Sequence, residues 1–159
     1  MNIQVNVNGQ DRNIDVPPLR RLIDVLREDM GLVSAKIGCG EGECGACNVW
    51  VDGEPVSACL IPAVQIDGSR IVTLEGLASS NDPALAALRD AFLEHDASQC
   101  GACIPGIVMT CRGLFDDLRN RRPSEAEVRG LLAGHLCRCT GYEAIVRAIL
   151  AWLEMKSET

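Results

Sequence analysis

The sequence is poor in aromatic residues, with two Trp, one Tyr and two Phe in 159 residues. Any core must therefore be built from Ala, Leu, Val and Ile, which bury less area per residue, so cross-linking beyond simple packing is expected. Basic residues are also in deficit: 15 Lys and Arg face 22 Asp and Glu, for a formal charge of −7. Without a basic face the chain is expected to bind no nucleic acid. No run approaches the roughly 18 uncharged apolar residues of a membrane span. Met1 to Val16 alternates polar and apolar residues and contains Asp11 and Asp15, whereas a secretory signal needs a continuous apolar stretch. Arg20-Arg21 leads into a segment carrying Asp24, Arg27, Glu28 and Asp29, which reads as a charged amphipathic helix rather than an export signal. A cytoplasmic location is expected. There is also no His-Asp-Ser set, no Walker loop and no Gly-x-Gly-x-x-Gly opening a helix, so no substrate site is expected on this chain.

Cysteine, in contrast, is abundant: the chain has nine. Such a density means either a secreted disulfide framework or metal ligation. With secretion disfavoured, the reducing cytosol points to metal.

The length allows one ordinary domain or two small ones, and the pattern along the chain favours two. Ile3, Val5 and Val7 alternate with polar residues, Asn8-Gly9 supplies a tight turn, and Arg12 to Val16 alternates again, which predicts a β-hairpin. Pro17-Pro18 ends it. Leu19, Leu22, Ile23 and Leu26 then recur at helical spacing, predicting a short helix over the hairpin's apolar face, closed by Gly31. After a Gly-rich stretch from Gly38 to Gly53, β-like runs fall at Asn48 to Val51, Val56 to Leu60 and Arg70 to Leu74. This half is expected to be α+β, and its element order is compatible with a β-grasp. Ser79-Ser80-Asn81-Asp82-Pro83 reads as a linker running into a capped helix. The expected domains are therefore 1–76 and 83–159, with a linker over 77–82. Four helices are expected in the second: Pro83 to His95, Ile104 to Arg121, Ser124 to Ala133 with Ser124 and Glu127 spaced as a capping box, and Tyr142 to Met155.

Cys39, Cys44, Cys47 and Cys59 have the spacing C-x4-C-x2-C-x11-C, and its first three members follow the plant-type 2Fe-2S ferredoxin pattern. Glycines at 38, 40, 42 and 45 let the loop wrap closely and turn backbone N–H groups toward cluster sulfurs. A structural zinc site would take two C-x-x-C pairs or Cys/His mixtures as its expected form. The second group is Cys100 and Cys103 with Cys137 and Cys139. Each pair lies just before an expected helix, where free N–H groups and the positive end of the macrodipole favour an anionic cluster. A redox dithiol could account for Cys100 and Cys103 but leaves Cys137 and Cys139 without a role. Cys111 falls within an apolar stripe of helical period running from Ile104 to Leu118, and reads as a buried structural thiol.

The blocks Gly38-Cys-Gly-Glu-Gly-Glu-Cys-Gly-Ala-Cys47, Gln99-Cys-Gly-Ala-Cys-Ile-Pro-Gly106 and Leu136-Cys-Arg-Cys-Thr-Gly-Tyr142, in that order, carry a resemblance over essentially the whole chain. It resembles the small iron-sulfur subunits of the molybdenum hydroxylases, the xanthine dehydrogenase and aldehyde oxidase group. The resemblance implies an N-terminal β-grasp ferredoxin-like domain and an all-α four-helix domain, each with a 2Fe-2S cluster. It implies a large partner subunit carrying molybdopterin and usually a medium one carrying FAD. It places the helical cluster next to the pterin, with Gln99 and Cys139 approaching it, and makes electron transfer from molybdenum to FAD or another acceptor the expected work. The sequence departs from the pattern at His135, where relatives commonly have Asn, which affects a contact behind Cys137. Two other readings stand beside this one: a free-standing soluble ferredoxin-type carrier, of which residues 1–76 alone would be an example, and a zinc-stapled interaction module.

Overall fold

The computed structural model describes residues 1–154. It is mixed α+β, with a five-stranded sheet in the first half and helices through the second.

Strand β1 (Asn2–Val7) and β2 (Gln10–Asp15) form the expected antiparallel hairpin. Asn8 and Gly9 both adopt positive φ, 53° and 81°, the geometry of a tight turn that matches strand twist. Ile3, Val5 and Val7 point into the core, alternating with more exposed polar neighbours, as the two-residue period of a half-buried strand requires. Strands β3 (Asn48–Val51), β4 (Glu54–Ser57) and β5 (Arg70–Val72) complete the sheet in the order β2-β1-β5-β3-β4. β1 and β5 are parallel and the other pairs antiparallel. Helix α1 (Leu22–Asp24) passes into a π-helical turn over Val25–Asp29, where Met30 N–H reaches Val25 O at 3.1 Å. Leu22, Ile23, Val25 and Leu26 pack into the core against the sheet. Leu19 does not join them: it is 80% exposed, because the helix starts only at Leu22, after Pro17 and Pro18.

The third β-like run is shorter than its sequence suggests. Leu74 opens a helix, α2 (Leu74–Ser79), that takes up the first part of the expected linker. Its Glu75 accepts hydrogen bonds from Ser34 N–H (2.8 Å), Ser34 Oγ (2.5 Å) and Thr73 Oγ1 (2.6 Å), and Leu77 is buried. Tertiary anchoring thus organises a segment whose Ser, Asn and Asp content reads as loop.

Helix α3 (Pro83–Glu94) begins as expected, with Asp82 accepting from Ala84 N–H at 2.9 Å and Pro83 in its first turn. The single helix expected from Ile104 to Arg121 is two, α4 (Ile104–Gly113) and α5 (Phe115–Arg121), broken at Leu114. Gly113 has little helix propensity, its Cα lies close against Trp50, and the break turns Phe115 onto Trp152, ring centroids 4.5 Å apart. Helix α6 (Glu125–Leu131) starts with the capping box of Ser124 and Glu127 and ends in a 3-10 turn, Leu132–Gly134. Helix α7 (Glu143–Glu154) closes the described chain; Met155, the expected end of this helix, lies outside the described residues. A second core gathers Leu88, Phe92, Ile107, Val128, Ile149 and Trp152.

Helix α4 lies against the sheet. Trp50 Nε1 donates to Met109 O at 2.9 Å, Asn48 Nδ2 donates to Thr110 Oγ1 at 3.0 Å, and Gly106 approaches Gly45 so closely that any Cβ would collide with Gly45 O. Among the described residues no helix is long and apolar enough to cross a membrane.

Candidate metal centres and the seam between them

The loop before β3 brings Cys39, Cys44 and Cys47 together, and Cys59 joins them from the turn after β4. Three backbone N–H groups point at its sulfurs at 3.3 Å: Cys39 N–H to Cys44 Sγ, and Glu41 and Glu43 N–H to Cys39 Sγ. The backbone N–H groups of Glu41, Cys44 and Glu43, in that order, hold the exposed Cys39 thiol down to about 7. Burial has the opposite effect on Cys47, pushing it up to about 11. Gly38 is required by contact: a Cβ there would lie 2.6 Å from Cys44 Sγ. The loop therefore folds around its sulfurs with donors aimed at them, an arrangement suited to an electron-rich thiolate and sulfide cluster.

The second set lies in the helical half. Cys103 is the residue before α4, with Cys100 three residues upstream. Cys137 and Cys139 come from the loop leading to α7, so that Cys100 meets Cys139 and Cys103 meets Cys137. Thr140 Oγ1 lies 3.2 Å from Cys137 Sγ, and Tyr142 holds the loop by accepting from Cys137 N–H (2.8 Å) and donating from its hydroxyl to His135 O (2.9 Å). Cys103 is buried and its thiol pushed up to about 12 by burial. Cys139 and Gln99 are exposed, on the outer edge of the same loop pair.

The way the thiols meet bears on which metal centre they suit. A structural zinc needs four ligands around a single point. A 2Fe-2S cluster instead takes two thiolates at each of two irons, and thiols meeting two by two, as Cys100 with Cys139 and Cys103 with Cys137, match that demand. The iron charge would supply what the buried thiols otherwise lack, since a coordinating thiol is ionised outright.

Cys111 is apart from both sets, 1% exposed in the second core on α4, its thiol raised to about 12 by burial alone.

One functional feature escapes sequence inspection, because residues far apart in the chain make it. The ferredoxin-like loop and the Cys137 loop touch directly. Leu136 N–H donates to Cys44 O at 3.0 Å. Gly45, at φ +68°, lies against Gly134 and His135, where a Cβ would clash with His135 Nδ1 and sit 2.6 Å from Gly134 O. His135 is buried, its pKa lowered by burial, and its Nε2 lies 3.1 Å from Thr110 Oγ1.

Comparison with known proteins agrees with this layout. Residues 5–78 match the 2Fe-2S iron-sulfur cluster binding domain and residues 73–150 the 2Fe-2S binding domain. The nicotinate dehydrogenase small FeS subunit of Eubacterium barkeri is 48% identical over 147 residues, covering 92% of this chain and 91% of that one. The xanthine dehydrogenase iron-sulfur-binding subunit of Escherichia coli O157:H7 is 40% identical over 93% of this chain and 91% of its own. The crystal structure of quinoline 2-oxidoreductase from Pseudomonas putida 86 superposes with a TM-score of 0.86 at 44% identity, covering 97% of this chain and 94% of that chain. Aldehyde oxidoreductase from Desulfovibrio gigas superposes with a TM-score of 0.83 at 35% identity over 96% of this chain, which corresponds to 17% of that longer polypeptide. With sequence, fold and cysteine pattern in agreement, this chain belongs to the small iron-sulfur subunits of the xanthine dehydrogenase and aldehyde oxidoreductase family of molybdenum hydroxylases.

Proposed function

We propose that this chain is the electron-transfer subunit of a molybdenum hydroxylase complex, taking electrons from a molybdopterin centre on a large partner and delivering them to FAD on a medium partner or to another acceptor. The observation that carries the reading is the pair of four-cysteine sets, one on each half of the chain, whose loops meet at Cys44 and Leu136. We read the sheet, with β1 parallel to β5, as a β-grasp, and α3 to α7 as the family's four-helix domain with its second helix broken at Leu114. Domain boundaries near 76 and 83, with α2 bridging them, follow from the same reading.

In this assignment Cys39, Cys44, Cys47 and Cys59 hold one 2Fe-2S cluster, and Cys100, Cys103, Cys137 and Cys139 hold the other. Bound there, the clusters supply one-electron carriers. The protein's own residues tune and insulate them. The N–H groups of Cys39, Glu41 and Glu43 stabilise negative charge on sulfur, and Thr140 sits beside Cys137; donors of this kind and the dryness of the site are what set a cluster's potential. Exposed Gln99 and Cys139 form the edge offered to the pterin of the large subunit. The acidic charge and the absence of a long apolar helix among the described residues suit a cytoplasmic subunit.

Metal analysis tests the assignment: the chain is expected to carry about four iron and four acid-labile sulfide, as two 2Fe-2S clusters require. Stoichiometric zinc without sulfide would overturn it. Purification with a large molybdenum-containing partner, rather than alone, separates the subunit from a free-standing carrier.

A further inference from the structure

We propose that His135 is a positioning residue for electron exchange between the two cluster sites, holding the Cys137 loop in register against the Cys44 loop through Thr110 and Asn48. The inference rests on the two-cluster reading above and assigns part of the control of that exchange to a side chain that ligates nothing.

The geometry gives the two edges of the ring different tasks. On one edge, Nε2 is 3.1 Å from Thr110 Oγ1. That same hydroxyl oxygen accepts from Asn48 Nδ2 at 3.0 Å, and Asn48 Oδ1 accepts from Ser57 Oγ at 3.1 Å. A chain of polar contacts thus runs from the loop before α7, across α4, to strands β3 and β4. The other edge carries Nδ1, which is buried and has no hydrogen-bond partner. It packs against Gly45, the residue after Cys44, in the space a Cβ would fill. Leaving a buried polar atom unmatched costs free energy that an apolar ring would avoid. An arrangement that retains the imidazole is accounted for if its bonded edge fixes where the ring, and the loop attached to it, stands.

The loop attached to it carries the contact between the two sites. His135 is followed by Leu136, whose N–H bonds to Cys44 O, and then by Cys137. Electron tunnelling weakens steeply when a bonded contact is replaced by a gap, so a small shift of this segment would be read as a change in coupling between the sites. With Thr110 silenced, the ring keeps its shape but loses its anchor.

The test uses the full chain in its purified complex and four variants. Thr110→Val keeps the volume but removes the hydroxyl. His135→Leu removes both nitrogens. Thr110→Ser restores an oxygen, and His135→Gln restores a polar atom at the reach of Nε2. Iron and sulfide content is measured first, followed by the potential of each cluster and the magnetic splitting between the two reduced clusters. Thr110→Val and His135→Leu are expected to retain both cluster signals with weakened splitting and shifted potentials, and the Ser and Gln variants to recover the wild-type values. Unchanged splitting and potentials in both Thr110→Val and His135→Leu would overturn the inference while leaving the two-cluster reading intact. Loss of cluster content in both would also overturn it, by making His135 a residue of the fold alone. A wild-type complex lacking either cluster signal would instead overturn the two-cluster reading and this inference with it.

Discussion

The backbone N–H of Leu136 donates to the carbonyl of Cys44 at 3.0 Å, and the next residue is Cys137. One hydrogen bond therefore connects a cysteine of the first set to the neighbour of a cysteine of the second. Replacing Leu136 with Pro removes this donor. His135 already has φ −125° and ψ 114°, the extended conformation that a residue before proline prefers. Leu136→Pro is expected to keep both clusters, lower stability by about 1 to 3 kcal/mol and slow electron exchange between them. Denaturation and flash-reduction kinetics measure the two effects separately.

The seam is tight enough that one methyl group should open it. Gly45→Ala combines a left-handed backbone with contact against His135 and Gly134, and Gly106→Ala drives a Cβ into Gly45 O. Each is expected to destabilise the chain by roughly 2 to 4 kcal/mol through backbone strain and overpacking. Thermal denaturation checks this, with Gly130→Ala as a control at a glycine whose Cβ would meet nothing within 4 Å.

Cys111 offers the opposite case. Packed in the second core and part of neither cysteine set, it is expected to tolerate Cys111→Ala with both cluster resonances intact and a loss of about 1 to 2 kcal/mol from the small cavity. Loss of either resonance would make it a ligand.

Glu75 carries a pH prediction. Burial raises its pKa, but the donors Ser34 and Thr73 outweigh burial and leave it below the ordinary glutamate value. A carboxylate depressed in the folded state contributes stability that is complete above its unfolded pKa, roughly pH 4.3, and is lost as pH falls through the folded value. Glu75→Gln should therefore lower stability at neutral pH and flatten the acid limb of the stability curve. Equal acid sensitivity in both proteins would contradict this.

Much of the layout is legible in the residues. The hairpin follows from alternation around Asn8-Gly9, helix α3 from Asp82-Pro83, and helix α6 from Ser124 and Glu127, because each signal is local. The cysteine spacings announce the two sets for the same reason. What is not legible comes from contacts distant in sequence. The helical state of Leu74 to Ser79 depends on Ser34 gripping Glu75, and the break at Leu114 accompanies Gly113 against Trp50 and Phe115 on Trp152. The seam joins Gly45, Gly106, Thr110 and His135 from three separate segments. No periodicity or short motif encodes such a meeting; at His135 the sequence shows only a departure from the family pattern.

In the proposed path electrons leave molybdenum through the helical-half cluster before the ferredoxin-like one, and paramagnetic resonance of the substrate-reduced complex checks that order. The cluster assigned to Cys100, Cys103, Cys137 and Cys139, at the loop edge where Gln99 and Cys139 are exposed, is expected to split the Mo(V) signal more strongly. That splitting should survive Cys44→Ser, which impairs delivery to the acceptor, and vanish in a Cys103 variant shown by iron analysis to lack the helical cluster. A stronger splitting from the cluster assigned to Cys39, Cys44, Cys47 and Cys59 would reverse the proposed path.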